Sequence, residues 1–251
     1  MSDLDFTEKP PELNLKMVAE SDEIVSIIVV HNDKPPYLSL CLQSIAIASK
    51  NNNCEIVIVD NGSKMQDSIA LLDAMEKHDE CKVIRNSENL GWTKAANQGA
   101  KATNPASKYF IFLHHDVVIL NHSWIDILIN ISESNDSGLV GISKSTYSQE
   151  DVSGKKIKMD FLEEWCMLTT RECWDDCGPF NEKLQQVGAP FMYCYSAQLN
   201  NYHPQYIRNN MVHHWGIFSM SVSDFERYSD QARNLLPTMI RDQQIKFNNK
   251  I

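Results

Sequence analysis

The chain has no apolar run approaching the ~20 residues that cross a bilayer, so no membrane-spanning helix is expected. It also lacks positive charge: 23 Lys and Arg face 33 Asp and Glu, a formal net charge of −10. Non-specific binding to nucleic acid needs cations that displace counterions, and this balance argues against it, although it leaves room for a local basic pocket. The opening stretch Met1-Ser2-Asp3-Leu4-Asp5-Phe6 is acidic and has none of the apolar core of a signal peptide. The seven cysteines form no export-type set, and reduced thiols in a cytosolic protein are expected. Cys166, Cys173 and Cys177 lie near one another, but no second pair or matching histidine spacing completes a zinc pattern, so they read as buried thiols. No Gly-x-Gly-x-x-Gly follows the first apolar run, which weighs against a dinucleotide-dependent oxidoreductase. There is no internal repeat and no low-complexity segment.

What is present suits one large α/β domain with extensions: 251 residues, 43% of them hydrophobic. A polar arm is expected over 1–23, the domain over 24–220 and a helical extension over 221–251. Residues 24–30 are a nearly continuous β-branched run, the pattern of a strand buried on both faces. Further strands are expected at 55–59, 81–85, 109–113 and 139–142, alternating with helices at 66–77, 92–103 and 123–132. Between the first two strands, Leu38, Cys41, Leu42, Ile45 and Ala48 recur at helical spacing. This alternation predicts a mostly parallel sheet with helices on both sides. Past Ser143 the texture changes. The polar stretch 145–158 reads as a loop, either a cover for a bound ligand or plain surface. Strands at 161–169 and 206–212, helices at 171–177 and 191–200, and a final helix interrupted at Pro237 complete the reading.

Three stretches carry chemistry. Asp60-Asn61-Gly62-Ser63 closes a strand with a carboxylate able to accept hydrogen bonds from a base or ribose; it is also an ordinary turn. In 89–99, Gly91 opens a helix whose N-terminus favours an anion, with Lys94 and Asn97 following; a capped amphipathic helix reads the same way. The strand 109–113 ends in His114-His115-Asp116, two imidazoles and a carboxylate. Such a group can hold a divalent cation, and the cation a diphosphate, though a polar strand end facing water looks alike. His213 and His214 follow a later strand.

In order and spacing, these pieces resemble the family-2-type glycosyltransferases of GT-A fold. The matching strings are Val25 to Asp33, Glu55 to Ser63, Asn89 to Gly99, His114-His115-Asp116, and Arg171 to Glu182, which is similar to that family's Gly-Gly-Phe-Asp-Glu region; Val212-His213 matches its late histidine. The resemblance implies a nucleotide-diphosphate sugar donor, most often a UDP-sugar, and a glycan or lipid-linked glycan as acceptor. His31, Asn32 and Asp60 would line the base and ribose, and Asn89, Gly91, Lys94, Asn97, His114 and His115 would border the nucleotide-sugar. Asp116 and His213 would hold Mn²⁺ (or Mg²⁺), which neutralises charge on the leaving diphosphate. It also implies action in the cytoplasm, extending to the inner face of a membrane. Trp165, Trp174 and Trp215 are candidates either for stacking on sugar faces or for the core.

Two departures from the family pattern stand out. His114 replaces the first carboxylate of Asp-x-Asp, which favours Mn²⁺ over Mg²⁺. The stretch 187–194, where inverting members carry an acidic pair, has no carboxylate. The proton acceptor for a glycosyltransferase must then come from elsewhere. Glu163, Glu164, Asp175, Asp176 and Glu182 are available, with Glu164 and Asp175 put forward, and a retaining mechanism would not need that base. The alternative is a catalytically degenerate module of the same fold that binds a nucleotide-sugar or a protein partner.

Overall fold

The computed structural model describes residues 23–150, 154, 156–184, 187–208, 210–216 and 222–248. The expected N-terminal arm lies outside them except for Glu23. β1 (Ile24–His31), α1 (Pro35–Ala48), β2 (Cys54–Asp60), α2 (Gln66–Met75), β3 (Cys81–Arg85), α3 (Trp92–Ala102) and β4 (Ser107–His114) alternate as the sequence predicts. β5 (Val117–Ile119), α4 (Trp124–Ser134), β6 (Leu139–Gly141), β7 (Lys144–Glu150), β8 (Lys156–Leu162) and β9 (Cys166–Thr170) follow. The chain continues through α5 (Arg171–Cys177), α6 (Ala189–Leu199), β10 (Gln205–Tyr206), β11 (Val212–His214) and α7 (Val222–Asn248).

Seven strands form one sheet in the order β10-β6-β9-β4-β1-β2-β3. It is mostly parallel; β9 runs antiparallel to both β4 and β6. Side chains alternate across a strand, so the continuous apolar runs serve two cores. Ile27, Val29, Tyr109, Ile111 and Leu113 pack with Leu38, Leu42, Ile45, Leu72 and Trp124 from α1, α2 and α4. Ile28, Val30, Phe110 and Phe112 pack with Ala95, Ala96, Phe180, Phe191, Leu236 and Ile240 from the opposite layer. Each fully buried side chain of this size stabilises the fold by about 1.5–3 kcal/mol. Gly99 allows the close approach of α3, because a Cβ there would lie 2.4 Å from Cγ2 of Ile28. The register pairs His31 with Asp60 and Val30 with His114, so the carboxyl ends of β1, β2 and β4 share one edge.

The later half departs from expectation. The stretch read as a loop is a hairpin of β7 and β8. Lys144, Thr146, Ser148, Lys156, Lys158 and Asp160 face solvent, while Tyr147, Ile157, Met159 and Phe161 pack on the second core. Ser145 and Gln149 occupy inward positions, which hid the period-2 pattern. Gln149 donates to the carbonyl of Arg233, fastening the hairpin to α7 at 3.0 Å. The strand expected over 161–169 breaks at a turn through Glu164 and Trp165, and that expected over 206–212 is two short strands. α7 continues through Pro237; the missing N–H costs a bond, but burial of Ala232, Leu236 and Ile240 holds the helix on both sides of it. Among the described residues no helix is long and apolar enough to cross a membrane.

Candidate metal centre

β4 delivers His114 to the sheet edge, and the turn through His115 and Asp116 leads into β5. β5 pairs antiparallel with β11, placing His214 opposite Val117 and His213 opposite Val118. Neighbouring strand residues point to opposite faces, so only one of the two histidines can face Asp116. It is His214, whose Nε2 lies 3.2 Å from Oδ1 of Asp116. His213 is exposed and meets Trp215 edge to face at 5.1 Å. The structure thus places His214 beside Asp116, and not His213, the late histidine chosen from the sequence.

His114, Asp116 and His214 each offer a ligand atom, all within 4.8 Å of one another. Nε2 of His114, Nε2 of His214 and both carboxylate oxygens of Asp116 are buried, and among the described residues none has an aligned hydrogen-bond partner. Leaving such atoms unsatisfied costs about 1–3 kcal/mol each, more for a charge. A divalent cation would take one ligand atom from each of the three residues, and two imidazoles with one carboxylate are a donor set for a transition ion. Burial lowers the His114 pKa to about 3, so its imidazole is neutral with a lone pair available. Burial raises the Asp116 carboxyl, but the adjoining His214 and His114 more than offset this and hold it below its ordinary value.

The other sequence candidates divide sharply. Glu164 reaches the cluster: its Oε1 is 3.7 Å from Nε2 of His114, and burial raises its pKa to about 7 although 17% of the side chain is exposed. Asp175 is exposed on α5, which begins where Arg171 binds the carbonyls of Ser107 and Asn104 at the amino end of β4. The structure does not bring it to the cluster, because β9 runs antiparallel to β4 and carries α5 to the other edge. Glu163 is engaged by the hydroxyls of Ser143 and Ser145 and by the Trp165 indole. Asp176 accepts from the Tyr202 hydroxyl and Glu182 from Asn97.

His115 turns inward, its Nδ1 3.0 Å from the Val30 carbonyl and its ring edge to face with His31 at 5.1 Å. His31 is itself fully buried, with Nε2 3.4 Å from the Ser68 hydroxyl, so it underlies the edge and does not line a pocket. Asp60 accepts from the Ser63 N–H at 2.9 Å. Asn32 donates to the Asn61 carbonyl at 2.9 Å. Asn61, read in the sequence only as part of a turn, ties the two loops together: it donates to Asn89 and accepts from the N–H of Leu90. Gly62 permits that contact at φ 85°, since a Cβ would sit 2.5 Å from the Glu88 carbonyl carbon. Gly91 precedes α3 at φ 83°, and Lys94 stands exposed in the first turn. Asn97 spends its amide on both backbone groups of Phe180, at 2.9 and 3.0 Å, and so locks α3 to that loop.

Of the three tryptophans, Trp174 is packed on Phe110, Phe112 and Phe180 and Trp215 is exposed. Trp165 stacks on His214. The stretch without carboxylates opens α6, where Ala189 and Phe191 are buried and a Cβ on Gly188 would lie 3.1 Å from that of Ala232 on α7. That position is filled by apolar packing. A cavity of about 260 Å³ lies between α5, α6 and α7, lined by Asp176, Asn181 and Lys246 among others, and includes none of the cluster.

Residues 26–197 match the family described as Glycosyl transferase family 2. The chain is 25% identical over 196 residues to the O-antigen biosynthesis protein RfbC of Myxococcus xanthus, covering 66% of this chain and 15% of RfbC. Its fold is similar to the mannosyltransferase PcManGT from Pyrobaculum calidifontis in complex with GDP-Man and Mn²⁺, with a TM-score of 0.59 and 15% identity over 74% of this chain and 55% of that one. It is also similar to GalNAc-T7 with UDP, GalNAc and Mn²⁺, with a TM-score of 0.60 and 15% identity over 83% and 48%. The chain thus spans about half or less of the length of these three proteins. With the GT-A sheet and the match over 26–197, the chain belongs to glycosyl transferase family 2.

Proposed function

We propose that the protein transfers a sugar from a nucleotide-diphosphate donor, a UDP-sugar, to a hydroxyl of a glycan or lipid-linked glycan, with a divalent cation, Mn²⁺ before Mg²⁺, at His114, Asp116 and His214. The observation that carries this reading is the convergence of His114, Asp116 and His214, each offering one ligand atom within 4.8 Å of the others, at the carboxyl edge of a mostly parallel sheet, where ligands bind in open α/β folds. The presence of Mn²⁺ with GDP-Man in PcManGT and with UDP in GalNAc-T7 supports it. A bound cation would neutralise the charge that develops on the leaving diphosphate.

The remaining work falls to the chain itself. The loops joined by Asn61, with Asp60 and Asn89, form the edge on which the nucleoside would rest. The start of α3 at Gly91, with Lys94 in its first turn, favours the phosphates. We assign the acceptor proton to Glu164, because its raised pKa suits a carboxylate accepting a proton near neutral pH. The acceptor oxygen would bond to the anomeric carbon as the bond to the diphosphate breaks and the proton passes to Glu164. The free thiols, most of them buried, support a reducing compartment, the cytoplasm or the inner face of a membrane.

One observation favours a second reading, a nucleotide-sugar-binding module without turnover: the start of α6 is apolar where inverting relatives would carry their base. Calorimetric titration with UDP, GDP, CDP and dTDP, with and without Mn²⁺, tests the binding common to both. Metal-dependent binding of UDP is expected, and binding of no diphosphate under either condition would refute the donor site. Turnover of a UDP-sugar then separates enzyme from module.

A further inference from the structure

His214 is a precarious ligand. It sits in a three-residue strand that, among the described residues, pairs with β5 alone. Among the described residues no hydrogen bond holds its second ring nitrogen, although a ligating imidazole is ordinarily oriented through that atom. What holds the ring is a stack: the indole of Trp165 lies parallel to it, centroids 4.6 Å apart and planes inclined by 15°. The Trp165 backbone acts on the other imidazole residue, since its carbonyl accepts the N–H of His114 at 3.1 Å.

Trp165 is fixed in turn. Its Nε1–H donates to Oε2 of Glu163 at 2.9 Å. Glu163 accepts the hydroxyls of Ser143 and Ser145, and its own N–H donates to the Ser143 carbonyl at 3.1 Å. The root of the β7–β8 hairpin therefore grips the turn between β8 and β9 at several points. Rotation of the His214 ring would turn Nε2 away from Asp116, and a parallel indole face obstructs that rotation sterically.

We propose that Trp165, anchored by Glu163, is a positioning residue that orients His114 through its backbone and His214 through its ring. The stack substitutes for the hydrogen bond that would otherwise aim the His214 lone pair. The proposal rests on the metal reading of the His114–Asp116–His214 cluster.

The test is Mn²⁺ affinity of the full chain without donor, read by electron paramagnetic resonance of the free ion, for the wild type, Trp165→Leu, Trp165→Phe and Glu163→Ala. Loss of an outer partner of a ligating histidine costs about 10–100-fold in affinity, and a loss of that order is expected for Trp165→Leu. Trp165→Phe keeps a face for stacking and should recover most of it, which general loosening of the turn would not predict. Should Trp165→Leu fail to fold, as judged by circular dichroism, Glu163→Ala carries the test with an expected loss of about tenfold. Wild-type affinity in Trp165→Leu, or in Glu163→Ala where that variant stands in, overturns the proposal alone. A wild type that binds no Mn²⁺ overturns the metal reading and this proposal with it.

Discussion

Nε2 of His214 lies 3.2 Å from Oδ1 of Asp116, and the two imidazoles beside it hold the carboxyl below its ordinary value. Replacing Asp116 by Asn removes the only carboxylate among the three candidate ligands. Mn²⁺-dependent UDP binding should fall by more than the about 10–100-fold that loss of an outer partner costs. Calorimetry with and without Mn²⁺ measures this, and equal affinity in both conditions at the wild-type level would sink the metal assignment.

The two neighbouring histidines give an internal control. His214→Ala should lose metal-dependent binding, whereas His213→Ala, whose ring is exposed beside Trp215, should keep it. The reverse outcome would restore His213, the late histidine chosen from the sequence, and contradict the pairing of β5 with β11.

Glu164→Gln keeps the shape and removes the proton acceptor. Turnover of a UDP-sugar should drop by about 10²–10⁴-fold, the range for loss of a general base, with Mn²⁺ and UDP affinity preserved. A parallel loss of Mn²⁺ affinity would instead make Glu164 a fourth ligand beside His114.

Stability should decline in mild acid. Burial first, then the nearby His115, lowers the His31 pKa from 6.5 to about 3. Below pH 6.5 the unfolded chain takes up a proton that the folded chain refuses, so stability is full above 6.5 and is lost as the pH falls toward 3. In His31→Asn the slope of unfolding free energy between those limits should be shallower by about 1.4 kcal/mol per pH unit. Urea titrations at several pH values without added metal read it, and an unchanged slope would mean that His31 titrates normally.

Gly99→Ala sets two effects against each other. Alanine favours a helix by about 1 kcal/mol over glycine. Its Cβ would lie 2.4 Å from Cγ2 of Ile28 in a packed layer, and overpacking costs about 1–3 kcal/mol. Net destabilisation is expected in a urea titration; a gain would show that α3 can lift from β1.

The first half of the fold was legible because two-sided burial leaves a loud signal: 24–30 and 109–113 have almost no polar interruption. The hairpin was missed because one of its faces meets water and its inward positions include Ser145 and Gln149. Asp116 stood out as a carboxylate after an apolar strand. The choice between His213 and His214 depended on the register of β11 against β5, a long-range pairing that no local pattern encodes. Asn97 looked like a ligand group because an amide on a helix face is chemically ambiguous; only the Phe180 backbone reveals its use. Trp165 gave no sign of its stack, since contacts between separate turns leave no periodicity.

The ladder between β5 and β11 is three rungs long, and histidine occupies two successive rungs of β11. A slip by one rung reverses which side chains face inward. Here it would exchange His214 for His213 at Asp116 and also turn Val212, buried in the first core, outward. Burial of Val212 thus fixes the register, and with it which of two adjacent imidazoles meets Asp116.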